Sequence, residues 1–501
     1  MHPAVAQLDQ MCIARTRLVV DSRDVVLGDV FVAYPGHTSD GRDYIEAAIT
    51  AGAAAVLTQA GSGATSTTAA QARVPVLAVA DLSRVLGNIA DDFYSRPSAA
   101  LRVVGVTGTN GKTTVANWLA QCYEALGEAS GVIGTLGIGR LHQMMPTKNT
   151  TPDGAAVHGA LSALRAQRAK AVAIEVSSHA LDQRRVAGVR FDATVFTNLS
   201  QDHLDYHLTM AAYGEAKAKL FTEYPTRHRV MNADDSFGAQ LIARKYPQTV
   251  SYGLENGLVR GSIMASRDHA NSGLCLLVRS PWGEFEVATR LIGRFNAYNL
   301  LAVAATLLTQ GFPAHLVARV LANVEPAPGR MQRVDFPPEA TPSAALPAVF
   351  VDYAHTPDAL DKAIAALRPF TIGKLAVVFG CGGDRDRTKR PQMGAISVNR
   401  ADTVIITSDN PRTEAAQSII DEIVDGIDER LRTRVHVCAD RSRAIAQAIA
   451  SASMGDSVLI AGKGHEDYQE IMGVRHHFSD VEEAKRALAQ RVNAQELVHA
   501  H

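Results

Sequence analysis

What the 501-residue sequence lacks narrows it first. It has no apolar run near the roughly 18–20 residues needed to cross a bilayer, so membrane insertion is not expected. Its opening segment has no basic stretch followed by an apolar core, so no secretory signal is expected either. Cysteines are few: Cys12, Cys122, Cys275, Cys381 and Cys438 are far apart and show no Cys-x-x-Cys spacing. That argues against a disulfide framework and a zinc knuckle, and suits a reducing cytosol. No lysine- or arginine-rich run stands out, and 50 basic residues against 51 acidic ones leave a net charge of −1, so nucleic acid is not an expected partner. There is no internal repeat, and no low-complexity tract beyond a small Ala/Ser/Thr loop at 60–72. What remains is 47% apolar and 20% charged, a composition able to build sizeable cores, at a length that suits about two to four domains.

Three blocks follow one another. Residues 1–97 carry short strand-like runs (Leu18–Val20, Val30–Tyr34, Ala53–Leu57, Val76–Val79) and close at Arg96-Pro97-Ser98. Residues 98–330 open with the apolar run Leu101–Val106, short enough to be a buried parallel strand. A glycine loop then leads into a helix over Thr113–Leu126, where Val115, Trp118, Leu119, Cys122 and Leu126 fall at helical spacing and Gly127 stands at the stop. The runs Ala171–Val176 and Ala193–Phe196 alternate with helical stretches, which predicts a mostly parallel sheet with helices on both faces. Between 228 and 292 the rhythm turns to hairpin-like runs such as Ser262–Ala265 and Leu274–Val278.

Residues 331–501 follow the segment Pro326-Ala-Pro-Gly-Arg330. Their strands (Ala348–Val351, Leu375–Phe379, Thr403–Thr407, Val458–Ala461) each end in a polar or glycine-rich loop: Asp352–His355, Gly380–Arg385, Ser408–Arg412 and Gly462–Glu466. Ligands of open α/β sheets bind beyond the carboxyl ends of the strands, so four such loops mark one candidate site. The expected fold class is α/β in three domains. A small N-terminal α/β domain precedes a central P-loop-type sheet with helices on both faces, and a Rossmann-like domain ends the chain.

The strongest motif is Gly105-Val-Thr-Gly108-Thr109-Asn110-Gly111-Lys112-Thr113-Thr114, set between a strand and a helix. Backbone N–H groups of such a loop cradle phosphates; Lys112 would reach the outer phosphates and Thr113 would hold Mg²⁺. The strict pattern wants glycine where Val106 stands, so this is a variant loop, Gly-Thr-Asn-Gly-Lys-Thr. ATP is the expected nucleotide.

This loop resembles that of the Mur ligases and their folate-ligase relatives, and the resemblance covers nearly the whole length, with motifs in all three blocks. It implies an ATP- and Mg²⁺-dependent amide-forming ligase of bacterial peptidoglycan synthesis. The ligase would add meso-diaminopimelate to UDP-N-acetylmuramoyl-L-Ala-D-Glu. A cytoplasmic monomer is the expectation.

The remaining motifs are read against that resemblance. In Ala173-Ile-Glu175-Val-Ser177-Ser-His179, Glu175 ends a buried strand, where a carboxylate can ligate a metal lying over phosphates; the family glutamate that it matches is a Mg²⁺ ligand. By resemblance Ser177, Gln183 and Arg185 contact the UDP-muramoyl dipeptide, and a guanidinium fork suits a carboxylate or phosphate independently. His203 and His207 are four apart, but Leu204 stands where a zincin needs glutamate, so zinc is not favoured. The family puts the first histidine, His203, near a second Mg²⁺; His207 and Asp205 read equally as structural. Lys219 reads as a solvated helix residue. Lys217 matches a family lysine that CO₂ carbamylates, which needs a neutral amine and yields an anionic oxygen ligand suited to Mg²⁺.

Asn296 and Asn299 precede an apolar helix and read equally as helix caps and as residues near the nucleotide base. Arg330 and the loop Asp352–His355 are also nucleotide-facing candidates. Ser408-Asp409-Asn410-Pro411-Arg412 is the discriminating motif. Diaminopimelate is lysine with an extra carboxylate, which a guanidinium fork binds bidentately, whereas lysine would leave Arg412 unpaired. Arg385, Gly462 and Glu466 match the other family contacts to the diamino acid, Glu466 facing its ammonium. In the first block Ser22, His37, Thr38 and Ser39 align with UDP-binding loops, and Asn149, Thr150 and Thr151 with a dipeptide contact.

Three other readings stay open: a lysine-adding ligase of the same family, a folylpolyglutamate-type ligase, and a nucleotide-gated regulatory protein. The folate reading expects neither the first block nor Asp-Asn-Pro-Arg, and the regulatory one expects loss of Lys112, Glu175 or Lys217; all are present.

Overall fold

The computed structural model describes residues 1–36, 39–61, 74–264, 273–334 and 346–499, with side chains as far as 492. His37, Thr38 and Ala265 lie outside the described residues.

Three main sheets succeed one another along the chain. Strands Leu18–Val19, Val30–Ala33, Ala55–Gln59 and Val76–Val79 form an all-parallel sheet. Helix Leu82–Phe93 lays Leu82, Leu86, Ile89 and Phe93 against it, the one-sided spacing that burial of a surface helix requires.

The second sheet has eleven strands. Its centre is parallel, in the order Thr249–Gly253, Thr226–Asn232, Phe191–Phe196, Arg102–Thr107, Ala171–Glu175, Ser130–Gly134. Alternate residues serve opposite faces, as the pleat dictates. Val104, Val106, Ala171 and Ala173 pack with helices Lys112–Ala125 and Arg294–Thr309; Val103, Val172 and Ile174 pack with helices Gly154–Ala166 and Met210–Thr222. One edge continues through Val259–Met264 into the antiparallel strands Cys275–Ser280 and Gly283–Ala288. The other edge is a meander, Gly137–Arg140 and Gln143–Met145. That meander is not expected from the sequence, because its glycines at 131, 134, 137 and 139 mimic a loop.

The third sheet runs Gln332–Arg333, Ala348–Asp352, Ser457–Ala461, Leu375–Phe379, Thr403–Ile406, Val435–Val437, all parallel after the first pair. Loops leaving Asp352, Phe379, Ile406 and Ala461 therefore emerge at one edge. A separate hairpin, Tyr468–Ile471 with Val474–His477, lies beside them. Between the second and third sheets the chain is pinned to the helix Lys112–Ala125. Trp118 Nε1 and Gln121 Nε2 donate to Glu325 O at 2.8 and 3.0 Å, and Glu325 N donates to Gln121 Oε1 at 2.8 Å. Among the described residues no helix is long and apolar enough to cross a membrane.

Candidate active site

The loop 108–111 joins strand Arg102–Thr107 to helix Lys112–Ala125, with Gly111 at φ +87° as the helix cap. Gly108 sits at φ +149°, and a Cβ there would collide with Thr197 Oγ1, so this backbone approach requires glycine. Lys112 Nζ folds back onto Gly108 O and Thr109 O, both at 2.9 Å. Asn110 N donates to Asn198 Oδ1 at 3.0 Å, which ties the loop to the segment after strand Phe191–Phe196.

Glu175, the last residue of its strand, is 1% exposed. It accepts hydrogen bonds from Thr113 Oγ1 (2.8 Å), Thr135 N (2.7 Å) and Thr135 Oγ1 (3.2 Å). Thr135, on the unexpected meander, is a site residue that sequence reasoning missed. Arg330, the last residue of the second block, bridges to the third: its Nη2 donates to Thr113 Oγ1 at 3.1 Å while its guanidinium lies 4.4 Å from the Tyr353 ring centre. Asn110 Nδ2 donates to Asp358 Oδ2 at 3.0 Å, so a second contact joins the phosphate-type loop to the third sheet's helices.

Lys217 is buried in helix Met210–Thr222, donates from Nζ to Gly108 O at 2.8 Å, and stands 4.3 Å from the Tyr213 ring centre. Burial, with Lys112 adding repulsion, pushes its ammonium well below the ordinary lysine range against the pull of Asp202. Lys219, by contrast, pairs with Asp182 at 2.8 Å near the surface.

Among the described residues no group of three His, Cys, Asp or Glu side chains could hold a metal ion. A hard divalent cation held by one carboxylate, a threonine hydroxyl and substrate phosphates fits that sparse donor set, because Mg²⁺ is commonly bound in that way. Thr113 and Glu175, in direct contact beside the loop, are the residues here that could supply such oxygens.

His203 has a left-handed backbone (φ +53°) and caps the short helix Leu204–His207. Its ring meets His179 edge-on at 4.8 Å, and Asp202 Oδ2 lies 3.4 Å from Nε2. Burial lowers its pKa, with Asp202 opposing. His207 Nε2 lies 2.9 Å from Ser178 Oγ within the same cluster.

The predicted dipeptide residues come together. Thr151 Oγ1 donates to Glu175 O (2.7 Å) and accepts from Ser177 N (3.0 Å). Arg185 donates from Nη1 to Thr151 O (2.7 Å) and from Nη2 to Gln183 Oε1 (2.7 Å). Thr135 Oγ1 lies 3.1 Å from Thr150 Oγ1, and Asn149 lies exposed at the rim. Ser22 lies in a short 3-10 turn capped by Asp21, which Lys148 Nζ approaches at 3.1 Å; Ser39 is exposed. The asparagines do not cap their helix: Gly293 does, at φ +91°. Asn296 Nδ2 instead donates to Ile292 O (2.8 Å), and Asn299 Nδ2 donates to Asn296 Oδ1 (3.2 Å).

At the edge of the third sheet Asp409 and Asn410 are buried. Asn410 Nδ2 donates to Glu466 Oε2 at 2.8 Å, and the fully buried Lys463 donates to Asn410 Oδ1 and Glu466 Oε2, both at 3.2 Å. Burial first, then Asp409, raises the Glu466 pKa, and Lys463 opposes them. A Cβ on Gly462 would come within 2.5 Å of Asp409 Oδ2. Arg412 donates from Nη1 to Gly383 O at 2.7 Å, and Pro411 O lies against Gly383. Arg385 is exposed and bonds only Asp384 O, at 3.3 Å, among described hydrogen bonds. Lys463 is a second residue missed, although it lies inside a quoted motif.

Three family models match in succession: the Mur ligase family catalytic domain over residues 16–94, the Mur ligase middle domain over 106–307, and the Mur ligase glutamate ligase domain over 329–464. The chain belongs to the Mur ligase family. It is thus an ATP-dependent, amide-forming ligase. This Mur ligase is 49% identical over 489 residues to the UDP-N-acetylmuramoyl-L-alanyl-D-glutamate–2,6-diaminopimelate ligase of Chromobacterium violaceum, covering 96% of each chain. It is 47% identical to the protein of that name from Pseudomonas aeruginosa, again covering 96% of each. A solved structure of a ligase so named superposes with TM-score 0.65 at 35% identity, covering 96% of this Mur ligase and 95% of that chain. A MurF ligase from Thermotoga maritima in complex with ADP shares the fold, with TM-score 0.67 at 20% identity and coverage of 99% and 100%.

Proposed function

We propose that this Mur ligase adds meso-diaminopimelate to the D-Glu γ-carboxylate of UDP-N-acetylmuramoyl-L-Ala-D-Glu, with ATP converted to ADP and phosphate. Residues 1–97 would bind the UDP moiety, 98–330 ATP and the dipeptide, and 331–501 the amino acid. In the first step a γ-carboxylate oxygen attacks the γ-phosphorus and ADP leaves, giving an acyl phosphate. The amine nitrogen of diaminopimelate then attacks the acyl carbon, phosphate leaves, and the amine loses a proton.

Gly108–Thr114 would hold the phosphates, with Lys112 swinging from its two carbonyls to neutralise charge on the transferring group. Asn296 and Arg330 would lie along the nucleotide. Arg185, fixed by Gln183 and Thr151, would orient the dipeptide carboxylate together with Ser177. Thr113, Glu175, His203 and a carbamate on Lys217 would hold Mg²⁺, which when bound offsets charge on the phosphates. The neutral amine that burial favours at Lys217 is the form that reacts with CO₂.

The observation that carries the choice of amino acid is that Arg412 follows by two residues Asn410, whose amide holds the Glu466 carboxylate, so one loop cluster offers a cation for the distal carboxylate and an anion for the ammonium. Phosphate release and product mass are measured with meso-diaminopimelate, with L-lysine and with no amino acid. Turnover with diaminopimelate alone supports the reading, and preference for lysine overturns it. Arg412→Ala should reduce selectivity by about 1.5–3 kcal/mol, the value of a hydrogen bond to a charged group.

A further inference from the structure

Arg412 has an unusual backbone for an arginine. Its φ is +53°, in the left-handed region that L side chains seldom occupy. Something must hold it there, and the hairpin Tyr468–His477 does. Arg412 N donates to Glu470 O at 3.0 Å, and Met472 N donates to Arg412 O at 2.6 Å, a one-residue parallel bridge to Ile471. Both backbone groups of Arg412 are thereby engaged.

The same hairpin strand grips the preceding residues. Gln469 Nε2 donates to Ser408 Oγ (2.9 Å) and to Asp409 O (2.7 Å), and Glu470 N donates to Asn410 Oδ1 (2.9 Å). The hairpin is otherwise mostly solvated: Val474–His477 are exposed throughout and Met472 at its turn is 71% exposed, with His477 pairing to Glu482 and the Tyr468 ring centre lying 5.4 Å from Lys463 Nζ. Opposite, Gly382 and Gly383 leave room for the guanidinium. A Cβ on Gly382 would stand 2.9 Å from Arg412 Nη1, and one on Gly383 would collide with Pro411 O.

We propose that the hairpin Tyr468–His477 is a specificity element that presents Arg412, with Gln469 as its positioning residue. It locks the backbone of 408–412, so that the guanidinium leaves along one direction and meets a carboxylate at a fixed distance from the Glu466 carboxylate. The ligand class is a diamino acid bearing a second carboxylate. This rests on the reading of Arg412 given under Proposed function.

The test compares full-length wild type, Gln469→Glu, Gln469→Asn, Gly473→Val and Arg412→Ala by steady-state kinetics with diaminopimelate and with lysine. Gln469→Glu keeps the shape but turns both donors into an acceptor facing Asp409 O. Gly473, at φ +76° with nothing within 4 Å of its Cβ position, can be strained without a clash, so Gly473→Val loosens the hairpin through its turn alone. We expect KM for diaminopimelate to rise about tenfold in Gln469→Glu and less in Gly473→Val, with kcat and KM for ATP retained. Gln469→Asn, which keeps the amide, should recover part of the loss. Unchanged KM for diaminopimelate in both Gln469→Glu and Gly473→Val, while Arg412→Ala loses selectivity, overturns the role of the hairpin. So does a parallel rise in the ATP constant. Retained selectivity in Arg412→Ala instead sinks the reading of Arg412 itself.

Discussion

Lys112 and Lys217 donate to the same backbone oxygen, Gly108 O, at 2.9 and 2.8 Å. Two ammonium groups on one carbonyl in a buried site repel, and both lysine pKa values are pushed down, burial leading in each case. The downward push is the stronger at Lys217, where Lys112 adds its repulsion to burial, and it favours the neutral amine there.

The expected consequence is a carbamate signal. Protein equilibrated with ¹³C-bicarbonate should show a labelled carbamate resonance that Lys217→Ala lacks, and that variant should lose ligation while still binding ATP. An identical spectrum in both proteins refutes the modification.

Glycine substitutions separate a crowded loop from a merely left-handed turn. Gly108→Ala meets Thr197 and should abolish nucleotide binding. Gly127→Ala has φ +83° but open space around it, and should cost only about 1–2 kcal/mol with binding intact. Calorimetric ATP titration and thermal melting distinguish the two.

Acid stability should depend on Glu414. Hydrogen bonds from the buried Arg390 hold its carboxyl at about 2, below its ordinary 4.5. A depressed carboxyl contributes stability that is present above the unfolded pKa and lost as pH falls through the folded one. Glu414→Gln should therefore be destabilised at neutral pH, and the gap to wild type should close between about pH 4.5 and 2. A constant gap across that window counts against the pairing.

Arg441 and Asp480 form a fully buried pair at 2.7 Å, and Arg441 also donates to Ser408 O (3.2 Å) and Ala461 O (2.9 Å), where two loops of the third sheet's edge begin. Asp480→Asn leaves an unpaired buried guanidinium and should cost about 3–5 kcal/mol in denaturant unfolding. Replacing both partners, as Arg441→Met with Asp480→Leu, should recover much of that loss.

The sequence made the repeating parts legible. Apolar runs such as Ala171–Val176 and Leu375–Phe379 mark buried strands, and the Gly108–Thr114 loop declares its strand–helix setting. Four loops assigned to one site from strand ends alone do share one sheet edge. Less legible were elements whose residues speak for something else. The Ser130–Met145 meander hides behind its glycines, which removes Thr135 from view, and the hairpin Tyr468–His477 is too polar and short to stand out. For Asn296 the sequence leaves capping and a place near the nucleotide base equally open, because capping is local chemistry, and Gly293 takes the cap position with a backbone only glycine adopts freely. Arg385, placed by resemblance, stands exposed, and no spacing rule reports how far a loop arginine reaches.

Only two tryptophans occur in the chain, and they sit in opposite surroundings: Trp282 is 41% exposed, while Trp118 is 1% exposed with its indole N–H on Glu325 O. The bond that fastens the connecting segment to the helix is therefore also an optical gauge. Turning of the third sheet about that segment would shift a blue, quencher-protected emission, and a Trp282→Phe protein would report it without labels as each substrate is added.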